Sequence, residues 1–291
     1  MLSSRAQSRD LHLSHPERSR RIRTCFPDAN RSALPAGYLS RMALLATEAI
    51  VLHAFDYLES SRILRIVTRD AGVRSVLAKG ARRSSRRFGS ALDLFAQGSA
   101  QLYAKPGRDL DMLSAFDVTL ARAELAGDLG RFTGASAVAE LALRFGRDAA
   151  DRGLFDAVAA ALDALASAPH EEALGTTLAS AWHIVAELGF GPAVDVCAEC
   201  HAPLDESVTV MFSHPSGGAL CARCGRLAVS GRVLPPEART ALRAFLLGRR
   251  VAALDDASGR AHQRLLREFL TEHLTDGRPM RAMELWEEVR W

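Results

Sequence analysis

The spacing Cys197-Ala-Glu-Cys200, twenty intervening residues, then Cys221-Ala-Arg-Cys224 constrains this chain more than any other stretch. Two Cys-x-x-Cys knuckles at this separation read as a four-cysteine zinc ribbon. Each knuckle offers two thiolates to one ion at about 2.3 Å, and a loop of roughly fifteen to twenty residues lets the second knuckle close the tetrahedron. Four protein ligands leave no open coordination position, whereas a catalytic zinc keeps one for water, so the expected role is structural. Two disulfides, a redox pair or four unrelated core cysteines account less well for the paired knuckles. His201 and His214 lie inside the ribbon as possible substitute ligands, the cysteines being the simpler set. A zinc-deaminase reading needs an upstream His-x-Glu, and His183 and Glu187 stand four apart.

With 291 residues, 48% of them hydrophobic, the chain has room for two domains and a substantial core. Glu48 interrupts the apolar stretch from Ala43 to Leu52, and Asp163 the alanine-rich run after Val158, so no membrane span is expected. The N-terminus lacks the apolar segment of a secretory signal, and four thiolates suit a reducing compartment, so a cytoplasmic, nucleoid-associated location is expected. Net charge is +3, but the first 41 residues hold eight arginines against Asp10, Glu17 and Asp28, which leaves the rest at −2. Overall basicity therefore says nothing about nucleic acid; only local clustering does.

Residues 1–41 show no period of 2 or 3.6 and read as a basic, disordered extension. The alternative is a start codon set upstream of the true one at Met42. Cys25 in this segment has no evident partner. From Thr47 the pattern changes. Ala49–Leu52, Ile63–Val67, Val73–Leu77, about Ser99–Tyr103 and Met112–Asp117 are short apolar or alternating runs, separated by turn signals at Asp70-Ala71-Gly72 and Pro106-Gly107. Five short strands over 42–119 predict a small barrel. An oligonucleotide-binding barrel and an SH3-like one read almost identically at this level.

Between the third and fourth strands, Lys79-Gly80-Ala81-Arg82-Arg83-Ser84-Ser85-Arg86-Arg87 places five cations in nine positions without a carboxylate. An exposed, flexible positive loop on a barrel matches the electrostatic track that follows a phosphate backbone. Lys79, Arg82, Arg83, Arg86 and Arg87 are the leading DNA-contact candidates, with Arg69, Arg74 and Arg108 as further cations on the barrel. A solvated charge run is the plainer alternative. Phe55, Tyr57, Phe88 and Tyr103 are able to stack on bases, but most aromatics at strand positions are core, so stacking is expected to be minor.

After Leu120 the period becomes helical. Leu174, Leu178, Trp182, Val185 and Leu188 form one stripe ending at Gly189, and Leu154, Val158, Leu162 and Leu165 another that Pro169 stops. Leu242, Phe245 and Leu246 follow a helix start at Pro235-Pro236. Leu265, Leu266, Phe269 and Leu270 form a further face, and Met283, Trp286 and Val289 a short last one. Residues 120–291 thus predict a helical bundle into which the ribbon, 194–228, is inserted after Gly191-Pro192 as a brace.

The order of barrel, bundle and inserted ribbon resembles the bacterial recombination-mediator and DNA-repair family RecO, from Met42 to the C-terminus. The residues that carry the resemblance are Thr47-Glu48-Ala49-Ile50-Val51-Leu52, Lys79-Gly80-Ala81-Arg82-Arg83, and Leu188-Gly189-Phe190 leading into the first knuckle. Residues 1–41 have no counterpart in the family pattern. The expected fold class is α+β, an N-terminal OB-fold barrel followed by a helical bundle with the four-cysteine ribbon. The resemblance implies a non-enzymatic protein that binds single- and double-stranded DNA and anneals complementary strands. It further implies work with RecR, with or without RecF, in helping RecA replace single-stranded-DNA-binding protein. The acidic C-terminal tail of that protein would be received by the helical domain, with Arg131, Arg144, Arg147 and Arg152 as candidate rim cations. The cysteines place the chain among the metal-containing members. The competing reading is a zinc-ribbon adaptor between proteins without direct DNA binding. A zinc hydrolase is disfavoured by the closed ligand set and by the lack of a clustered acid, base and nucleophile.

Overall fold

The run Ala49-Ile50-Val51-Leu52 is apolar without alternation because both faces of its strand are covered, as the computed structural model makes plain. Residues 43–81, 88, 92–104, 109–251, 254–275 and 278–289 are described. Ala49 and Val51 point into one core with Leu64, Ile66, Val76, Leu102, Leu113 and Phe116. Ile50 and Leu52 point into a second core shared with the helices. Period-2 geometry sends successive side chains to opposite faces, so this strand joins the two halves of the molecule.

Strand β1 (Ala43–Tyr57) is long enough to pair twice, with β4 (Gln97–Ala104) through its first half and with β2 (Ser61–Thr68) through its second. A register irregularity between Val51 and His53 bends it between these partners. β3 (Gly72–Ala78) follows β2 through the expected tight turn, and Gly72 has φ +67°. A side chain there would also clash with the Ala149 and Arg147 backbone oxygens, so the hairpin and the bundle approach at a point only glycine allows. β5 (Asp111–Leu120) pairs antiparallel with β4 and parallel with β3, closing the order β1-β2-β3-β5-β4. That closed five-stranded order with its crossover is the Greek-key arrangement of the oligonucleotide-binding fold.

The bundle comprises α1 (Leu129–Phe145), α2 (Arg152–Ser167), α3 (Ala173–Glu187), α5 (Pro236–Leu246), α6 (Asp256–His273) and α7 (Arg281–Glu288), while the single turn α4 (Ala222–Gly225) belongs to the ribbon. Helix α3 is central, touching α1, α2, α5 and α6. The expected single stripe is therefore too narrow, since Ala173, Thr176, Thr177, Ala179, Ser180, Ala181 and Ile184 are buried as well. Its hydroxyls survive burial because Thr176, Thr177 and Ser180 each donate to a carbonyl four residues back at 2.8 Å. Gly189, φ +87°, ends the helix: its N–H reaches the Ala186 carbonyl at 2.9 Å, and that of Phe190 reaches Val185 at 3.0 Å. Pro236 stands at the first turn of α5 as expected.

A polar chain locks barrel to bundle. Arg122, 4% exposed, donates to Asp163 of α2 at 2.7 Å, to the Phe95 carbonyl at 2.8 Å and to the Gln97 side chain at 2.7 Å. Gln97 in turn donates to Glu48 at 2.6 Å, and Glu48 accepts from Arg69, which also reaches Asp156 at 2.7 Å. The Gln97 amide, followed by Arg69, holds the Glu48 carboxyl below its usual range. Replacing Arg122 by alanine leaves three acceptors without their shared donor, and a loss of about 2–4 kcal/mol in urea unfolding is expected. A loss under about 0.5 kcal/mol would mean that this chain of contacts does not hold the two parts together.

Candidate metal centre and nucleic-acid face

The ribbon is built on a three-stranded sheet, β6 (Val210–Ser213) flanked by β7 (Gly218–Leu220) and β8 (Arg232–Leu234). Backbone bonds then fold each knuckle: the His201 N–H reaches the Cys197 carbonyl and the Gly225 N–H the Cys221 carbonyl, both at 2.8 Å. His201, just past the first knuckle, adopts φ +58°, a left-handed turn after which the Ala202 carbonyl accepts from the Cys197 N–H at 2.8 Å. All four sulfurs lie within 4.8 Å of one another, with Cys200 Sγ and Cys221 Sγ 3.8 Å apart. Ligands at about 2.3 Å on a tetrahedron are separated by about 3.8 Å, whereas a disulfide needs about 2.05 Å. The group fits a metal, and among the described residues it is the one such cluster.

Its electrostatics agree. Burial pushes the Cys197 thiol up, but backbone N–H groups of Cys200, Cys221 and Glu199 outweigh it and leave the thiol at about 6. The N–H of Cys224 is the main cause lowering Cys221. Cys224, facing burial and the other sulfurs, is pushed up to about 12. Backbone N–H groups aimed at Cys197 and Cys221 thus favour the thiolate, the form that binds a metal. Neither histidine joins the set, because His214 Nε2 meets Glu268 at 2.9 Å and His201 is exposed.

The ribbon is continuous with the bundle core. Phe212 on β6 packs edge-on against Phe269 of α6 at 6.2 Å, and Phe269 against Trp182 of α3 at 5.3 Å. Arg232 grips the same Glu268 carboxylate from the ribbon side, and Arg243 of α5 pairs with Glu206 at 3.1 Å. These contacts brace the bundle, the role expected of the ribbon.

On the barrel, Lys79 is exposed just past β3. Arg82, Arg83, Arg86, Arg87 and Arg108 lie outside the described residues, as does the segment 1–42. Arg69 and Arg74 are both ion-paired. Arg69 is spent on Glu48 and Asp156 and lies over the Phe155 ring at 4.4 Å, and Arg74 pairs with buried Asp111 at 2.7 Å. Their charges are met by carboxylates within the fold. Phe88 is 2% exposed in the barrel core, which removes it from the stacking candidates, while Phe55, Tyr57 and Tyr103 are exposed at 44%, 41% and 37%. The reading that strand aromatics are core fails for these three.

Sequence reasoning missed a groove of about 800 Å³ between barrel and bundle, lined by Phe55, Leu94, Leu143 and Leu285 with Arg65, Arg144 and Arg281. It needs the two halves docked before it exists. Of the four rim candidates only Arg144 lines it, donating to the Arg278 and Pro279 carbonyls at 2.8 Å. Arg131 reaches the Ala166 carbonyl at 3.3 Å, and Arg152 pairs with Asp70 at 2.9 Å. Arg147 lines a separate, more polar groove beside Phe190. No helix among the described residues is long and apolar enough to cross a membrane.

Residues 42–122 match the family described as Recombination protein O N terminal, and residues 126–282 match Recombination protein O C terminal. The chain is 37% identical over 253 residues to DNA repair protein RecO of Anaeromyxobacter sp. (strain K), covering 82% of this chain and 94% of that one. The same protein of Anaeromyxobacter dehalogenans (strain 2CP-1 / ATCC BAA-258) is similar to the same extent. That of Rubrobacter xylanophilus is 34% identical over 238 residues, 80% of this chain and 92% of the relative.

Proposed function

The chain belongs to the RecO family of DNA repair proteins, and from that premise we propose that it binds single- and double-stranded DNA, anneals complementary strands and works with RecR to help load RecA. The mechanism is electrostatic and non-enzymatic: cations offset phosphate repulsion so that two strands approach and pair. The observation that carries this reading is the closed oligonucleotide-binding barrel from whose β3 the five-cation segment departs at Lys79. Fluorescent single-stranded and duplex DNA titrated at two salt concentrations should both bind, more weakly at the higher salt. Absence of binding to either, in folded protein, would favour the zinc-ribbon adaptor instead.

The four cysteines hold one zinc ion in this reading, which supplies folding energy rather than chemistry when bound. The groove between barrel and bundle is the proposed seat for the acidic, aromatic C-terminal tail of single-stranded-DNA-binding protein, since its walls are largely apolar and Arg65, Arg144 and Arg281 line it against one carboxylate, Glu140, which is engaged by the Ala282 and Met283 N–H groups. A peptide of that tail should bind, and Leu285→Glu should weaken it about tenfold or more, Leu285 being 58% exposed and safe to change. Equal affinity for a peptide lacking its acidic, aromatic terminus would count against the groove. The cytoplasm, at the nucleoid, is the setting this function requires.

A further inference from the structure

The four sulfurs of the ribbon are not equivalent. Cys197 is fully buried and its sulfur accepts from the Cys221 N–H at 3.4 Å. Cys200, Cys221 and Cys224 are part-exposed. The exposed side chain of Arg223 stands beside the sulfurs of Cys224 and Cys200. A metal-bound cysteine is a thiolate, and thiolate character combined with exposure in electropositive surroundings is what makes a cysteine react with oxidants. The ribbon thus holds one sheltered sulfur and three that a small solvent oxidant reaches. Two of those three, Cys200 and Cys221, sit on different knuckles with their sulfurs 3.8 Å apart. Closing that gap to about 2.05 Å makes a disulfide, and the bond joins the same two knuckles that the ion joins.

We propose that Cys200 and Cys221 form a peroxide-sensitive pair, whose oxidation to a disulfide unloads the zinc of the ribbon and whose reduction restores the site. The inference rests on the zinc reading above and adds regulation to it. In the first step one of the two thiolate sulfurs attacks hydrogen peroxide. An S–O bond forms, the O–O bond breaks, and the hydroxide that leaves takes a proton to become water. The product is a sulfenic acid. The partner thiolate then attacks the sulfenic sulfur, the S–S bond forms, and a second hydroxide leaves and is protonated to water. Two thiolates are oxidised, one peroxide is reduced and two protons are consumed. Cys197 and Cys224 remain, and two thiolates are too few for a structural zinc site. Phe212 of the ribbon and Phe269 of the bundle belong to one core, so loss of the ion lowers the stability of the helices as well. The cross-link keeps the knuckles together, which makes the change reversible by a dithiol and zinc.

The test uses the full chain carrying Cys25→Ser, so that every thiol counted belongs to the ribbon. Zinc-loaded protein is treated with hydrogen peroxide while a chromogenic chelator reports free zinc. Thiols are counted after denaturation, and the oxidised chain is mapped by mass spectrometry without reduction. Release of about one zinc per chain should accompany the loss of two of the four thiols, with the Cys200 and Cys221 peptides joined and Cys197 still open to alkylation. Dithiol and zinc should then return both the ion and the thermal midpoint. Zinc retained under peroxide that fully oxidises glutathione overturns the switch. So does zinc loss with a sulfinic or sulfonic acid, with disulfides inside each knuckle, or without recovery on reduction. Those results leave the structural zinc standing. A chain that holds no zinc when purified under reducing conditions overturns the zinc reading and the switch together.

Discussion

Replacing Cys221 by serine should take the zinc content from about one ion per chain to near zero and release the ribbon from the bundle. Three cysteines remain, but the hydroxyl is a far poorer ligand than a thiolate, and the Cys221 sulfur sits 3.8 Å from that of Cys200. Structural zinc contributes about 10–16 kcal/mol of apparent binding energy in zinc-finger peptides, and that energy is folding energy. The loss should appear in three readouts: no zinc by elemental analysis, rapid proteolysis within residues 193–234, and a lowered thermal midpoint for the bundle. The last follows from the aromatic chain Phe212, Phe269 and Trp182, through which ribbon and bundle share one core. Chelator treatment of the unaltered chain should reproduce it. A zinc-free variant with an unchanged midpoint and intact protease resistance would show that the ribbon needs no metal.

Much of this fold is legible in the sequence because local chemistry specifies it. Asp70-Ala71-Gly72, Gly189 and Pro235-Pro236 stand where a turn, a helix end and a helix start form, and the two knuckles carry their ligand set in their spacing. What is hidden depends on pairs far apart in the chain. Arg69 and Arg74 look like free strand cations until Asp156 and Asp111 are brought to them by docking and strand pairing. Phe88 ends a run of arginines and reads as loop, yet it is buried in the barrel. Helix α3 shows a clear stripe, but four neighbouring helices bury the rest of it, tolerating threonine and serine because those hydroxyls bond the helix's own carbonyls. The groove between barrel and bundle is likewise a product of assembly.

With Arg69 and Arg74 met by carboxylates, the DNA-contact expectation concentrates further on the segment from Lys79 to Arg87, whose five cations stand in a folded region that is otherwise slightly acidic. Each phosphate neutralised contributes about −0.9 to the slope of log affinity against log salt on duplex and about −0.7 on a single strand. The measurement that reaches the central claim most directly is that slope for the unaltered chain and for the combined variant Arg82→Ala, Arg83→Ala, Arg86→Ala and Arg87→Ala, with zinc content and thermal midpoint as folding controls. The variant should bind and anneal DNA far more weakly at low salt, with a slope flatter by roughly three units and sequence preference hardly changed. An unchanged slope in a folded, zinc-loaded variant would contradict the account and place the phosphate-binding track elsewhere on the molecule.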